Sequence, residues 1–433
     1  MFRSKLFVLV SLVLVLAMAL PVGLVSAQQA TPTPPPGFVS YTVQKGDSLA
    51  KLALRTGTTI DKLKEVNGLK SDVLQIGQVI LIPGFVASNA PAVPGRPQGL
   101  PNGSVPLTGS GATFPALLYQ SWIFTYKQVD PVASINYQPT GSGAGKKAII
   151  DGTVDFAGSD SLVSAAEYAS GGDLQMFPMV AGAVVPTYNV TGTDGLPVGE
   201  IVFSRKVLAD IFLGKITKWN DAALVALNSK LKLPGKAITV AHRSDGSGTT
   251  EIFTKALSSF SSEWASKVGG ASSVQWPVGL GGSGNAGVAA LVKNTPYSIG
   301  YVESAYAIAN KLPYGIMINK SKVAVRADAR SLQSAMSDFS GKFSAKLTVD
   351  IVDAPGANSW PIAGYTYIVL HMTKMTDCVK AQTLLAYLKW AMTDAVAGGT
   401  ASALGYATLP GEVRSQALAR LSQVTCNGQL VLP

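Results

Sequence analysis

The chain has 433 residues, 47% of them apolar, with 35 Lys and Arg against 25 Asp and Glu for a formal net charge of +10. That length leaves room for two or three domains with ample cores, and the charge suits an anionic wall or membrane surface, or merely aids solubility. No Lys/Arg cluster is interleaved with aromatics, so nucleic acid is not an expected partner, and with 2 Cys and 2 His the chain has too few soft ligands for a zinc site.

Residues 1–27 open with Arg3 and Lys5, continue as a Leu/Val-rich run and end in Val25-Ser26-Ala27. This is the layout of a secretory signal with a small-residue cleavage site. Pro21 and Gly23 disfavour a stable spanning helix, although an uncleaved anchor is the alternative. The protein is therefore expected to be exported. No cysteine follows the apolar run, so a lipid-modified N-terminal cysteine is not expected, and no second run is long enough to span a bilayer. Outside the cell Cys378 and Cys426, neither of them in a Cys-x-x-Cys pair, are expected to form one disulfide. Residues 28–40 contain Thr31-Pro32-Thr33-Pro34-Pro35-Pro36, an extended spacer.

A compact unit follows over 41–83. Tyr41-Thr42-Val43 predicts a short strand, and Asp47 predicts the cap of a helix carrying Leu49, Leu52 and Ala53 that stops at Gly57. Thr59 starts a second helix with Leu63 and Val66, closed by Asn67-Gly68, and Gln78 to Ile82 is a strand ended by Pro83. This βααβ order, with Tyr-Thr-Val-x-x-Gly-Asp-Ser-Leu at its head and Val-Asn-Gly-Leu and Ile-Gly-Gln-x-Ile-x-Ile-Pro behind, resembles a LysM domain. The resemblance implies binding of N-acetylglucosamine-containing glycans, chiefly peptidoglycan, between the loops Gly46, Asp47, Ser48 and Leu74, Gln75, Ile76. Small polar loops that offer backbone groups suit a neutral sugar. Residues 84–106 are again Pro/Gly/Ala-rich, a linker predicted to let the units on either side move independently.

From Leu107 onward glycine and serine recur at predicted helix starts. Gly109-Ser110-Gly111-Ala112-Thr113-Phe114-Pro115 precedes a helix with Leu118, Trp122 and Tyr126 on one face, with Thr113 as the natural N-cap and Pro115 in the first turn. Thr140-Gly141-Ser142-Gly143 leads into a second helix. Thr153 to Asp160 is a short strand that delivers an acid at its end. Arg243-Ser244-Asp245-Gly246-Ser247-Gly248-Thr249 opens a third helix, whose N-H groups and partial positive charge make an oxyanion cradle beside a guanidinium that Asp245 could hold in plane. Taken alone, that stretch is equally an ordinary Ser/Gly turn with a solvated Arg-Asp pair. Two nucleotide motifs fare poorly: a P-loop ending at Gly145-Lys146 fails at Thr140 and Lys147, and Gly282-Ser283-Gly284-Asn285-Ala286-Gly287 follows a poor strand.

Together with Leu-Gly-Lys-Ile-x-x-Trp at Leu213 to Trp219, Gly-Leu-Gly-Gly-x-Gly-Asn-x-Gly at Gly279 to Gly287 and Ile-Gly-Tyr-Val-Glu at Ile299 to Glu303, these stretches resemble the phosphate-specific substrate-binding proteins of ABC importers. The likeness spans 107 to about 424, and is loose from Lys320 to Asn358. It implies an α/β, two-lobed type II periplasmic-binding-protein fold, with lobe one at 107–186 and 362–433, lobe two at 187–361, and crossings near Val184 to Asn189 and Pro361 to Tyr367. It implies phosphate contacts from Thr113, Phe114 (backbone N-H), Ser142 and Asp160 in lobe one and Arg243, Ser247, Gly248 and Thr249 in lobe two, with Asp245 as the arginine's partner. Three helix N-termini and one arginine can meet an anion without a metal or other cofactor.

The function expected is a monomeric receptor outside the cytoplasmic membrane, in the cell wall or periplasm, that captures inorganic phosphate for an ABC permease and is tethered to peptidoglycan through LysM. A phosphate sensor or adhesin on the same fold is the alternative. An enzyme is not expected, because a cell-wall hydrolase needs a nucleophile-base pair, paired carboxylates or a metal, and the two histidines have no matching partners. A Cys378-Cys426 bond would staple the C-terminal tail. Asp160 is expected to select the ligand, since a carboxylate facing an anion is favourable only when the anion carries a proton.

Overall fold

The structure, a computed structural model, describes residues 38–43, 47–49, 52–53, 58, 60–83 and 104–431. The expected signal (1–27), most of both linkers and Gly46 lie outside the described residues.

In the N-terminal unit β1 (Phe38–Thr42) pairs antiparallel with β2 (Val79–Pro83), Tyr41 opposite Ile80. Leu49, Leu52 and Ala53 are helical, and with Leu63 of the helix Ile60–Asn67 they bury against Val43, Ile80 and Ile82. Asn67 does more than end that helix. Its amide nitrogen donates to the Leu63 and Leu81 carbonyls (2.8 and 2.7 Å), and its amide oxygen accepts from Leu81 N-H. One side chain thus imitates the partner strand that β2 lacks on that side. The Tyr41 ring lies 5.4 Å from that of Phe124 in the large module, a contact the linker composition does not predict.

The large module opens at β3 (Val105–Gly111), two residues ahead of the sequence boundary, and continues through β4 (Ala133–Gln138), β5 (Phe156–Ser159), β6 (Leu174–Asn189) and β7 (Val202–Ser204). After these come β8 (Thr239–Arg243), β9 (Leu280–Gly282), β10 (Ser298–Glu303), β11 (Ile316–Ile318), β12 (Ala324–Val325), β13 (Ala363–His371) and β14 (Ala407–Thr408). The main sheet runs β4-β3-β5-β13-β6-β10-β8-β9, with β14 also on β6. Its left part reads second, first and third strand, all parallel, and then the antiparallel β13. The right part repeats the scheme, with β9, β8 and β10 parallel and β6 antiparallel to them.

The 16-residue β6 joins the two halves. It is buried at every position but the last, as a strand covered on both faces must be, so its sequence is apolar without alternation from Met176 to Pro186. Leu174 to Ala183 pair with β13 and Val184 to Asn189 with β10, so the strand changes neighbour between Ala183 and Val184. At that point the buried Trp360 donates its indole N-H to the Val184 carbonyl (3.1 Å). Cys378, first residue of the helix Cys378–Thr393, is bonded to Cys426 in the C-terminal hairpin. Among the described residues no helix is long and apolar enough to cross a membrane.

Candidate functional site

Five loops at strand ends meet where β3, β4, β5, β8 and β9 run out. Each lies between a parallel strand and the N-terminus of the next helix, the position at which a doubly wound sheet leaves a crevice and backbone N-H groups unpaired.

β8 delivers Arg243, whose side chain is 1% exposed. Its Nε donates to Asp245 Oδ1 (2.7 Å) and Nη2 to Oδ2, the bidentate pairing expected from the two-residue spacing. Burial works against the Asp245 charge, yet the guanidinium and the Gly284 N-H hold its carboxyl below the usual range. The plane of the guanidinium is thereby set, and Nη1 is directed at Thr249 Oγ1 (3.4 Å). Ser247 caps the helix Gly248–Phe260, accepting from Thr250 N-H (3.0 Å), and donates its own N-H to the Ser272 carbonyl (2.9 Å).

From the other half, Ser142 Oγ accepts from the N-H groups of Asp160 and Gly248 (3.2 Å each) and directs its hydrogen to Asp160 Oδ2 (3.3 Å). The two turns touch main chain to main chain, with Gly143 N-H on the Gly246 carbonyl at 3.0 Å. This contact requires glycine: a Cβ on Gly248 would stand 2.5 Å from Asp160 Cβ, and Gly141, at φ +98°, would place one 2.5 Å from Asp245 Oδ2.

Thr113 departs from its expected role. The helix Ala116–Val129 takes Pro115 at its N-cap with no side-chain cap. Thr113 Oγ1 instead accepts from the N-H and the amide of Asn285 (3.2 and 2.9 Å) on the helix that follows β9. A cap saves one N-H, whereas this bond ties the two halves and satisfies a buried amide. The same Asn285 amide donates to Thr249 Oγ1 (3.0 Å), and its oxygen accepts from Glu303 N-H (2.8 Å). The Gly282 to Gly287 motif thus serves this cleft.

A donor count shows what the cleft can hold. Thr113 and Thr249 hydroxyls accept from Asn285, so each keeps its own hydrogen to give. The N-H groups of Phe114 and Thr249 have no hydrogen-bond partner among the described residues. With Arg243 these are donors for one anion. Against them stands one acceptor, Asp160, 6% exposed, with Oδ1 also bonded by Thr366 (2.8 Å). Burial pushes its carboxyl up to about 7 despite Thr366, Arg243 and Ser142, and the charge of Glu251 adds to the rise. An anion that retains a hydrogen satisfies every group present.

All nine residues read from the sequence lie in this region. Residue type and spacing do not mark Asn285 and Thr366 as site residues, although they lie in the glycine-rich motif and at the second expected crossing. In the N-terminal unit, Asp47 accepts from Tyr41 Oη (2.5 Å), Ser48 is half-buried, and Leu74, Gln75 and Ile76 lead into β2 with Ile76 70% exposed.

Comparison with known proteins finds two family models along the chain. Residues 86–395 match the PBP superfamily domain and residues 41–83 the LysM domain. The chain is 41% identical over 308 residues to the phosphate-binding protein PstS of Pasteurella multocida, covering 71% of this chain and 87% of that one. It is 36% identical over 358 residues to PstS of Methanocaldococcus jannaschii, covering 77% and 90%. Among solved structures, the phosphate-binding protein of Stenotrophomonas maltophilia shares the fold at 20% identity and a TM-score of 0.54, covering 73% of this chain and 94% of that one.

Proposed function

This chain belongs to the PBP superfamily and, within it, to the PstS family of phosphate-binding proteins, and from that premise we propose that it captures inorganic phosphate outside the cytoplasmic membrane and delivers it to an ABC permease. One observation carries the reading: a single buried carboxylate, Asp160, faces a set of donors from Thr113, Phe114, Arg243 and Thr249 that only a proton-bearing oxyanion satisfies. Ser142, Gly248 and Ser247 frame the site from the two halves, and Asp245 fixes the arginine. The halves are lobe one, 107–186 and 362–433, and lobe two, 187–361, closing on the ligand about the crossings near Val184 to Asn189 and Pro361 to Tyr367.

The protein is a monomeric receptor, not an enzyme. Its LysM unit holds it to peptidoglycan through Asp47, Ser48 and the Leu74 to Ile76 turn, which keeps the receptor at high local concentration near its permease. Calorimetric titration with phosphate, arsenate and sulfate tests the assignment. Phosphate and arsenate should bind and sulfate should not; equal binding of sulfate would refute it.

A further inference from the structure

Behind the cleft, two tyrosines pin the Thr113 to Pro115 turn. Tyr306 Oη donates to the Thr113 carbonyl at 2.7 Å. In a trans peptide the carbonyl and the following N-H point in opposite directions, so this bond turns the Phe114 N-H away from Tyr306. The next carbonyl, that of Phe114, lies 2.8 Å from Tyr406 Oη, and the same oxygen lies 2.8 Å from Glu303 Oε2.

A phenol has one hydrogen, and burial holds Tyr406 well above its ordinary range, so it keeps it. The Phe114 carbonyl can only accept. Were Glu303 ionised, one of the two contacts would set lone pair against lone pair. A proton on Glu303 Oε2 removes the conflict: Glu303 donates to Tyr406, and Tyr406 donates to Phe114. The remaining contacts of the carboxyl are with donors, Ser304 Oγ to Oε1 at 2.8 Å and Ala305 N-H to Oε2 at 2.9 Å.

We propose that Glu303 is a positioning residue that carries a proton when the two halves are closed, and that through Tyr406 this proton sets the backbone of the Phe114 segment for phosphate. The proposal rests on the phosphate reading above. The charged and titratable groups around Glu303 are Asp160 across the cleft, the phenols of Tyr306 and Tyr406, and Arg243, which acts on Tyr306. No cation pairs with Glu303 among the described residues. Burial and the Asp160 charge push its carboxyl up to about 8, against an ordinary value of 4.5, although the bonds from Ser304 and Ala305 pull the other way; with the Tyr406 hydrogen given to Phe114, no bond from that phenol lowers it. On this proposal opening separates Glu303 from Tyr406 and hydrates the carboxyl, so closure over phosphate takes up a proton there and weakens as pH rises toward 8.

Full-length wild type, Glu303→Gln and Glu303→Ala are titrated with inorganic phosphate at pH 7 in two buffers of different ionisation enthalpy. Wild type should take up more protons per phosphate than Glu303→Gln, by up to one. The glutamine amide can donate to Tyr406 as the protonated acid does, so Glu303→Gln should bind within about threefold of wild type, whereas Glu303→Ala should lose about tenfold or more. Equal proton uptake by wild type and Glu303→Gln would overturn the proposal while leaving the phosphate reading intact. Absence of phosphate binding by wild type would overturn that reading instead. Thermal unfolding in saturating phosphate then decides Glu303: wild type should lose stability relative to Glu303→Gln as pH rises from 5 to 8, and parallel curves would overturn the assignment.

Discussion

Replacing Asp160 by asparagine should collapse the preference for phosphate over sulfate, by an amount that follows from two routes by which sulfate could enter. With Asp160 ionised, two like charges would face each other about 3 Å apart, a repulsion of about 5 kcal/mol at an effective dielectric constant of about 20. With Asp160 protonated the repulsion disappears, but the proton must come from solution. If opening hydrates the carboxyl fully it returns to the ordinary value of 3.8, whereas burial here raises it to about 7. Holding a proton at pH 7 on a group with the open-cleft value costs about 4 kcal/mol, or about a thousandfold in affinity. The cheaper route sets the discrimination. Because the closed carboxyl has the raised value, closure over a ligand that brings no proton weakens as pH rises. Wild-type affinity for sulfate should thus improve about tenfold for each unit that pH falls between 7 and 5. Phosphate carries its own hydrogen near neutral pH and escapes this dependence on Asp160, as does arsenate. Asp160→Asn offers an amide donor as well as an acceptor and no charge, so its sulfate affinity should be nearly flat with pH and within about tenfold of its phosphate affinity. Calorimetry at pH 6, 7 and 8 with the three anions reads both effects. An Asp160→Asn protein that excludes sulfate as strongly as wild type would refute the reasoning and assign the sorting to cavity size.

Arg243→Ala should weaken phosphate, arsenate and sulfate alike, and should lower stability by about 1 to 3 kcal/mol by leaving the half-buried Asp245 without its partner; Arg243→Ala with Asp245→Asn should regain part of the stability in denaturant titration and none of the binding. Insoluble peptidoglycan should retain residues 28–433 from solution and release a chain beginning at Ser104, and equal retention of both at high salt would exclude the LysM tether. Cys378 and Cys426 should resist thiol labelling in the unfolded, unreduced protein, and reduction should cost about 2 to 4 kcal/mol, the range for a loop of this length; two titratable thiols would reject the bond.

What the sequence determined by itself is whatever depends on neighbours along the chain. Glycine at 141 and 248, serine at 142 and 247 and the apolar period behind them specify strand-turn-helix junctions, and Arg243 and Asp245 are close enough in sequence to pair whatever surrounds them. The LysM unit was legible for the same reason, its helices and two strands following one another within 38–83. Tertiary structure alone decided where competing partners exist. Thr113 has the right residue type for an N-cap, but Asn285, 172 residues away, supplies two donors to its hydroxyl, so that one oxygen satisfies two buried N-H groups where a cap would satisfy one. Likewise nothing in Ile-Gly-Tyr-Val-Glu says that Glu303 will meet the hydroxyl of Tyr406, 103 residues on, or that this hydroxyl already serves Phe114. A carboxyl's charge depends on the groups that surround it in space, and those are assembled only when the strands on either side of β6 bring their loops together.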